Sequence, residues 1–589
     1  MIADEVGRYI QAQLTKEQRE VCYRNGSFVV IACPGSGKTR TAGTRFAWRI
    51  ANHTSQRRGV AALSFTNVAC AEIERHLMDL GFPVRPCWPH FLGTIDSFVN
   101  QFIFLPFGHL VMDCERRPEI AHPQGNLHAW IKSEMKAPRL AECWRLGCDP
   151  TLFEFCTDGS LAWRGGPRKR QPNCSRDKCG QVKSVMVRAG YALPTDAMYW
   201  AMRILAEYPS LRLAIARRFP ELIIDEAQDT SETQVEIVRA LADAGVEMVL
   251  VGDPRQSIYG FNGARPDLFL DFAKRWPEIK LTLNFRSSQR ICNASDVFAG
   301  SPGASGVAGG PDRDCPFEPV MITYETAREA DLPGHLIGLL EREGVNPSRC
   351  AVLAWQHDTI AKVFGSPAAQ WPTGVSSVTK ALAKAATYRD ETPRAIGEAH
   401  QEAMWALLRT CYGVGSFGLQ YQAIAPRTPR EWRRIGWHLL QRLPSSAMHL
   451  TEWSRQTGPT VKSVITDFSL EPPAALSHLI RRCNAPEAAR PVADFVRRSM
   501  LPHGIVAKVI HQAKGETYDA VMVVSRASSK QGADDLTQWL SGWAQDQNDA
   551  AGTGYVAVTR PRRLLVLAVP ANTPADTLAK LKEVFEIVR

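Results

Sequence analysis

The chain has 589 residues, 45% of them hydrophobic, and a formal net charge of +10 at pH 7. This length predicts three or four domains, and this composition is typical of globular proteins with packed cores. No apolar run approaches the ~20 residues of a membrane-spanning helix, and the first residues lack a secretion signal, so we expect a cytoplasmic protein with no membrane partner. The moderate positive charge is compatible with a polyanionic partner.

The first motif in chain order lies near Leu14, where Thr15 precedes Gln18 by three positions. This spacing predicts a capping box at the start of a helix. The Gln18 amide also offers the donor and acceptor that would pair with an adenine edge. Capping is the simpler interpretation, and the glycine-rich segment that follows favours the adenine interpretation.

A glycine-rich segment, Cys-Pro-Gly-Ser-Gly-Lys-Thr, follows an apolar run over 28–31 and precedes a predicted helix over 39–50. The inward-pointing N–H groups of such a turn and the positive end of the helix attract phosphate. Lys38 would reach the outer phosphates, and Thr39 would bind Mg²⁺. The segment has Ala32 where the strict phosphate-loop pattern has glycine. The candidate nucleotide-binding residues here are Gly35, Ser36, Gly37, Lys38, Thr39 and Arg40.

Two further apolar runs end in polar residues. The run over 61–63 leads to Phe65 and a predicted helix over 69–80, and Phe65 on its own would be a core residue more often than a base-stacking one. The run over 222–224 ends in Asp225 and Glu226. At the carboxyl edge of a parallel sheet, the first carboxylate would hold Mg²⁺ and the second would orient and deprotonate water.

A third predicted strand over 248–251 runs into Gly-Asp-Pro-Arg-Gln-Ser-Ile-Tyr-Gly-Phe. Gln256 is placed to sense a γ-phosphate, and the rings of Tyr259 and Phe261 are of the kind that grip single strands without sequence preference. Arg286, after a short strand at 283, is a candidate arginine finger.

These motifs, followed by Val-Ile-His-Gln-Ala-Lys-Gly-Glu-Thr at 509–517 and Tyr-Val-Ala-Val-Thr-Arg at 555–560, resemble in content and order the superfamily 1 helicases of the UvrD/Rep/PcrA type. The resemblance extends from Leu14 to about Leu567. It implies an α/β fold with two RecA-like parallel-sheet lobes, each with a mainly helical insertion. It also implies ATP and Mg²⁺ between the lobes, and single-stranded or tailed duplex DNA across them.

The resemblance also implies roles for individual residues. Gln18 would read adenine, while Gln256, Arg286 and Arg560 would face the γ-phosphate. The positions that contact DNA or couple DNA to ATP in the family are Phe65, Asn67, Tyr259, Phe261 and His511.

The chain departs from the family pattern at several positions. Phe261 stands where tryptophan is usual, Asp96 where histidine is usual, and Glu516 one position earlier than the usual glutamate. DNA grip and ribose selection are the properties that these changes would affect.

The resemblance, together with the motif positions, also implies the domain boundaries. The first lobe would comprise 1–104 and 196–280, interrupted by an accessory insertion over 105–195. The second lobe would comprise 281–360 and 501–589, interrupted by a helical insertion over 361–500. Gly300 to Gly310 is predicted to be a flexible loop.

The first insertion contains basic patches, including Lys183, which are either solvated or in contact with phosphate. The fifteen cysteines of the chain are scattered, which favours reduced thiols. A zinc site is a weaker alternative, because the usual ligand spacing is tighter. The four cysteines concerned are Cys143, Cys148, Cys174 and Cys179.

Three functions remain open. The first is a motor that couples ATP hydrolysis to 3′-to-5′ movement on single-stranded DNA and to duplex separation, in DNA repair or anti-phage defence. The second is a DNA-sensing subunit that uses ATP to switch a partner nuclease, as in two-component systems of the Gabija type. The third is an inactive ATP-binding scaffold, against which the intact Lys38, Glu226, Gln256 and Arg560 argue. RNA in place of DNA is also open.

Overall fold

The structure is a computed structural model, and it describes most of the chain. The residues described are 2–82, 88–114, 116–121, 153–163, 183–260, 263–326, 328–363, 371–391, 396–412, 429–470, 480, 483, 485–496, 502–526, 535–540 and 549–588. They form two compact units, one from the described parts of 1–120, 139–360 and 507–589, and the other from those of 121–138 and 361–506.

The first unit contains a six-stranded parallel sheet, and we call this sheet with its helices the first lobe. Its strands lie in the spatial order β6-β1-β5-β4-β2-β3, and every neighbouring pair is parallel. The strands are β1 Phe28–Ala32, β2 Val60–Ser64, β3 Phe91–Thr94, β4 Glu221–Asp225, β5 Glu247–Gly252 and β6 Glu278–Leu281.

Both faces of this sheet are covered, as the continuous apolar runs of its strands require. Alternate residues of β1 enter different cores, because successive side chains point to opposite faces. Val29 packs with Leu222 and Met248 on one face, while Phe28 and Val30 pack into the other.

The same unit contains a second six-stranded sheet, and we call this sheet with its helices the second lobe. The order is β9-β8-β10-β11-β7-β12, and the pairs β8/β10, β10/β11, β11/β7 and β7/β12 are parallel. The strands are β7 Val320–Tyr324, β8 Cys350–Ala354, β9 Val506–Val509, β10 Tyr518–Val524, β11 Pro561–Pro570 and β12 Glu586–Val588. The two sheets confirm the predicted α/β fold with two RecA-like lobes.

The helices alternate with these strands, as parallel connections demand. The predicted helices over 39–50 and 69–80 are found one or two residues away, at Lys38–Ala51 and Asn67–Asp79. The other helices of at least seven residues in the described part of this unit are Ile2–Gln13, Lys16–Tyr23, Pro194–Glu207, Pro209–Arg218, Glu232–Asp243, Pro266–Arg275, Gln289–Ala299, Leu332–Arg342, His357–Val363, Asp549–Val558 and Ala575–Lys582.

The described parts of the first insertion contain short helices and two small sheets. Strand Glu119–Ile120 pairs with Tyr191–Ala192, and Phe153–Phe155 pairs with Leu161–Trp163. Lys183 is 1% exposed and forms an ion pair with Asp196, so the interpretation of this lysine as a surface phosphate contact is wrong. The four cysteines considered for zinc lie outside the described residues, and so do most of the basic residues of this insertion.

The segment from Gly300 to Gly310 is held in place, contrary to the flexible loop that its composition predicts. The Asp296 carboxylate accepts hydrogen bonds from the backbone N–H groups of Gly303, at 2.6 Å, and Ser305, at 2.7 Å. Residues Val307–Ala308 then pair with Leu283–Asn284. An acidic residue on the preceding helix supplies the anchor that composition alone does not indicate.

The described part of the second unit is helical, in agreement with the pattern of its sequence. Trp432 and Trp453 are fully buried in its core. Its helices are Ser377–Glu391, Ile396–Tyr412, Pro429–Arg442 and Leu450–Asp467. Among the described residues of both units, no helix has the length and apolar character needed to cross a bilayer.

A buried arginine ties the helix after β1 to the strand that carries the acidic motif. The Arg45 side chain is fully buried, and its Nε donates to Glu221 at 2.8 Å. Its Nη1 donates to the carbonyl oxygens of Val21 and Arg24, both at 2.7 Å. The cation therefore joins the helix after β1, the chain segment that precedes β1 and the start of β4.

We expect Arg45→Met to lower the stability of the first unit by about 3 kcal/mol, because the Glu221 carboxylate stays buried without its main partner. The matched control is Lys274→Met, which removes a cation that is 76% exposed and paired with Asp271. It should cost less than about 1 kcal/mol. Urea and thermal unfolding would measure both, and equal costs would contradict the assigned role of Arg45.

Candidate active site

The order of strands in the first sheet brings the three sequence motifs together. Strand β5 lies between β1 and β4, and the strands are parallel, so their carboxyl ends meet at one edge. The glycine-rich segment follows β1, the acidic motif follows β4, and the segment with Gln256 follows β5. The candidate site is built at this edge.

The glycine-rich segment has the backbone of a phosphate loop. Gly35 and Gly37 have φ values of 70° and 74°, in the left-handed region that favours glycine, and the helix Lys38–Ala51 begins directly after them. Gln18 supports the loop, because its Nε2 donates to the Ser36 carbonyl at 2.9 Å. Its Oε1 accepts from the Thr15 N–H at 3.0 Å, so Gln18 completes the predicted capping box and also contacts the loop.

Two pairs join the phosphate loop to the acidic motif. Lys38 Nζ lies 3.1 Å from Glu226 Oε1, and the Thr39 hydroxyl donates to Asp225 Oδ2 at 2.7 Å. Glu226 has a φ of 56°, which is unusual for a residue other than glycine. Backbone strain of this kind is found where a side chain is held for function.

The two neighbouring carboxyl groups have opposite pKa shifts. Burial, and then the Glu226 carboxylate, raise the pKa of Asp225 to about 7. Burial opposes the charge of Glu226 as well, but Lys38 and Lys514 outweigh it and lower the pKa of Glu226 to about 2. Glu226 is therefore ionised at neutral pH, whereas burial and the Glu226 carboxylate disfavour the charged form of Asp225.

The chemistry at Asp225 fits a magnesium ion. Its Oδ1 atom is buried and has no hydrogen-bond partner among the described residues, and its Oδ2 already contacts the Thr39 hydroxyl. Mg²⁺ prefers such hard oxygen ligands and binds through one or two protein groups together with phosphate oxygens.

Arginines of the second lobe enter the same site. The fully buried Arg560, just before β11, donates from Nη2 to Gln256 Oε1 at 2.9 Å, and Gln256 Nε2 donates to Asp253 Oδ2 at 2.7 Å. Arg286 donates to the Thr559 carbonyl at 3.0 Å. Burial, and then the neighbouring Arg560, lower the pKa of Arg286, but a guanidinium remains protonated at neutral pH.

The segment that contains Arg286 is hydrogen-bonded to both lobes. The Phe285 N–H donates to the Gly35 carbonyl at 2.9 Å, and the Ser287 hydroxyl donates to the Pro561 carbonyl at 2.7 Å. The phosphate loop and β11 are therefore held on either side of Arg286.

Lys514, to which the sequence analysis assigned no role, makes a second connection between the lobes. Lys514 pairs with Asp229 at 2.5 Å and donates to the Gln256 carbonyl at 2.8 Å. Burial raises the pKa of Asp229 to about 6, although Lys514 acts in the opposite direction. Lys514 thus lies between a carboxylate and a carbonyl oxygen of the first lobe. It links the acidic motif of that lobe to the His511 segment of the second lobe.

Rings of both lobes lie next to this connection. The centroid of Phe65 is 5.3 Å from that of Tyr259, which is 6.1 Å from that of His511. His511 Nε2 is 3.2 Å from the Ile258 carbonyl oxygen. Asn67 is exposed at the start of the helix that follows Phe65, and Phe261 lies outside the described residues.

The remaining predicted positions have partners outside the phosphate loop. Arg40 donates to the Tyr9 hydroxyl at 2.5 Å. Asp96 accepts a hydrogen bond from Gln234 at 2.8 Å. Glu516 pairs with Lys508 at 2.9 Å within the second lobe.

Sequence reasoning missed Tyr9, Asp229, Phe285 and Lys514. Phe285 is adjacent to Arg286, and Lys514 lies in the motif at 509–517 close to His511, so proximity in sequence to assigned residues was the available signal. Nothing in the sequence near Tyr9 indicates that its hydroxyl meets Arg40.

Comparison with known proteins agrees with this geometry. The UvrD/REP helicase N-terminal domain family matches residues 14–116 and 183–277. The chain is 25% identical to DNA helicase II of Haemophilus influenzae over 299 residues, 48% of this chain and 39% of that protein. For DNA helicase II of Escherichia coli the identity is 25% over 309 residues, 49% of this chain and 41% of that protein. The chain thus spans less than half the length of these relatives.

A shorter region of the chain is similar to a protein that is not named DNA helicase II. The chain is 38% identical over 112 residues to the exonuclease/helicase subunit RexA of Lactococcus lactis subsp. cremoris. This region is 18% of the present chain and 9% of that subunit.

The fold and the site define a two-lobed protein of the phosphate-loop class. Within that class the chain is similar to the UvrD/Rep-like helicases of superfamily 1, and residues 14–116 and 183–277 match the UvrD/REP helicase N-terminal domain family.

We expect Gly35→Ala to destabilise the first unit by at least about 2 kcal/mol. A Cβ atom at this position would lie 2.4 Å from Asn284 Oδ1 and 2.6 Å from Arg286 Cβ, and φ is also unfavourable for alanine. The control is Gly245→Ala, where φ is 92° but nothing lies within 4 Å of the added carbon. The control should lose only about 1 kcal/mol. Thermal unfolding would measure the stability of both variants. If Gly35→Ala lost no more stability than Gly245→Ala, the close contact between the phosphate loop and the Arg286 segment would be contradicted.

Proposed function

We propose that this protein is an ATP-dependent DNA helicase or translocase that moves 3′ to 5′ on single-stranded DNA, in DNA repair or in anti-phage defence. The observation that carries the proposal is the hydrogen bond between Arg560 and Gln256, beside the Lys38–Glu226 pair. A phosphate-loop lysine, an ionised glutamate and an arginine from the other lobe thereby lie in one cluster of side chains. The relatives that bear the name DNA helicase II support the same conclusion.

ATP hydrolysis is assigned to residues of this pocket. Lys38 and the N–H groups from Gly35 to Thr39 bind the phosphates, because the lysine and the helix N-terminus are both positive. Thr39 and Asp225 would hold Mg²⁺, which when bound neutralises charge on the phosphate oxygens. Glu226, ionised by its lysine neighbours, orients water and accepts its proton.

The arginines act on the charge of the transferred phosphoryl group. Arg286 and Arg560 stabilise this charge in the transition state only while the second lobe lies against the first, since both are held by second-lobe groups such as the Thr559 carbonyl. Gln256 contacts Arg560 directly, so it senses whether the γ-phosphate is present between them. Hydrolysis therefore depends on lobe closure.

Lobe closure would in turn move the strand. Lys514 joins Asp229 and Gln256 of the nucleotide pocket to the helix that carries His511. The rings of Phe65 and Tyr259 lie on the first lobe and that of His511 on the second. Single-stranded DNA stacked on these rings would be displaced whenever the lobes move, and repeated cycles would produce stepping.

We expect Glu226→Gln to reduce DNA-stimulated ATP turnover by a factor of at least about 100, because the amide cannot accept the proton of water. Binding of MgATP should persist, since Lys38 is released from its carboxylate partner. Turnover would be followed by phosphate release, and binding by a fluorescent ATP analogue. Glu207→Gln, at an exposed carboxylate of the same lobe, is the control and should hydrolyse ATP at the normal rate. Normal turnover in Glu226→Gln would refute the assigned base.

The direction of movement is tested with tailed duplexes. The proposal predicts ATP-dependent strand displacement from a duplex with a 3′ single-stranded tail and little from one with a 5′ tail. Displacement from the 5′ tail alone would contradict the polarity. A matching series with RNA tails would decide between the two nucleic acids.

The second candidate is a DNA-sensing subunit that switches a partner nuclease, with little unwinding of its own. The similarity to a protein named exonuclease/helicase subunit RexA favours this alternative. It predicts DNA-stimulated ATP turnover without strand displacement until a nuclease partner is added. Displacement by the isolated chain would exclude it.

A further inference from the structure

The second lobe repeats a local arrangement of the first. In the first lobe, the buried strand β2 ends at Ser64, Phe65 and Thr66 follow, and a helix begins at Asn67. In the second lobe, the buried strand β8 ends at Ala354, two residues follow, and a helix begins at His357. The residue that corresponds to Phe65 in this arrangement is Trp355.

The side chain of Trp355 is also accessible to solvent. Its side chain is partly exposed, as are those of Phe65 and Tyr259, whereas Trp432 and Trp539 in the cores are fully buried. An indole that served only to fill a core would be expected to lie among apolar side chains on a strand or helix face. Trp355 instead directly follows the last residue of β8, at the edge of the sheet where the carboxyl ends of its strands lie.

The rings of the two lobes form one continuous row. The centroid of Trp355 is 4.4 Å from that of His511, with an angle of 52° between the planes. His511 is next to Tyr259, and Tyr259 is next to Phe65. The row therefore contains two rings from each lobe, and Trp355 is its end in the second lobe.

We propose that Trp355 is a base-stacking residue of the second lobe and binds a base of single-stranded nucleic acid, as the counterpart of Phe65 in the first lobe. This inference rests on the proposed function, because it assumes that a strand lies along the ring row. Indole offers the largest π face among the side chains, and stacking on it tolerates any base. With Trp355 and His511 on one lobe and Phe65 and Tyr259 on the other, each lobe has its own ring pair for the strand.

The test compares Trp355→Ala and Trp355→Phe with the unchanged chain on two fluorescein-labelled probes of equal length. One is oligo-dT, and the other is an abasic oligonucleotide with the same phosphates and no bases. Trp88→Ala is the matched control, because Trp88 is an exposed indole, 68% accessible, that packs against Arg218 in the first lobe. Fluorescence anisotropy gives the dissociation constants, and thermal unfolding verifies that each variant is folded.

We expect Trp355→Ala to bind oligo-dT about tenfold more weakly, Trp355→Phe to recover most of this loss, and Trp88→Ala to bind normally. On the abasic probe, Trp355→Ala and the unchanged chain should bind equally, because a stacking residue has no base to contact there. Unaltered binding of oligo-dT by Trp355→Ala overturns the inference, and so does an equal loss on both probes, which would indicate a structural role.

The outcome for the unchanged chain separates the two proposals. If it binds oligo-dT and Trp355→Ala binds equally well, only the role of Trp355 fails. If the unchanged chain does not bind oligo-dT, the proposed function fails and the role of Trp355 fails with it.

Discussion

The arrangement depends on a buried guanidinium at the contact between the two lobes. Arg560 is 1% exposed and donates to Gln256 of the first lobe. A buried cation is stable only where carboxylates and hydrogen-bond acceptors surround it. Glu226 and Asp253 provide the opposite charge, and both belong to the first lobe. The arginine of one lobe therefore requires the carboxylates of the other.

This requirement explains how a nucleotide could control the relation between the lobes. The pocket holds the acidic groups Asp225, Glu226 and Asp229, together with Lys38 and Lys514, and a triphosphate would add further negative charge to it. Phosphate oxygens would compete with Glu226 for Lys38 and would give the arginines a stronger partner than the Gln256 amide. Loss of the γ-phosphate would reverse both effects. Under the proposed function, electrostatic balance across the contact would thus connect the chemical step to movement of the lobes.

The sequence predicts the parts of this site that are encoded locally. Lys38, Thr39, Asp225 and Glu226 are predicted because each belongs to a motif at the carboxyl end of a strand in a parallel sheet. Contacts between distant segments were not accessible in this way. The pair of Lys514 with Asp229 and the anchoring of Gly303 by Asp296 depend on how the chain folds back, which periodicity and composition do not encode. Trp355 could be matched to Phe65 only after both strands and both helices had been located.

The most direct test of a nucleotide pocket shared by both lobes is an experimental structure with MgADP and a fluoride mimic of the γ-phosphate. The account predicts that Lys38 and both arginines, Arg286 and Arg560, contact the mimic while Glu226 faces the position of the attacking water. A mimic that is bound by the phosphate loop alone, with both guanidinium groups beyond hydrogen-bonding distance, would contradict it.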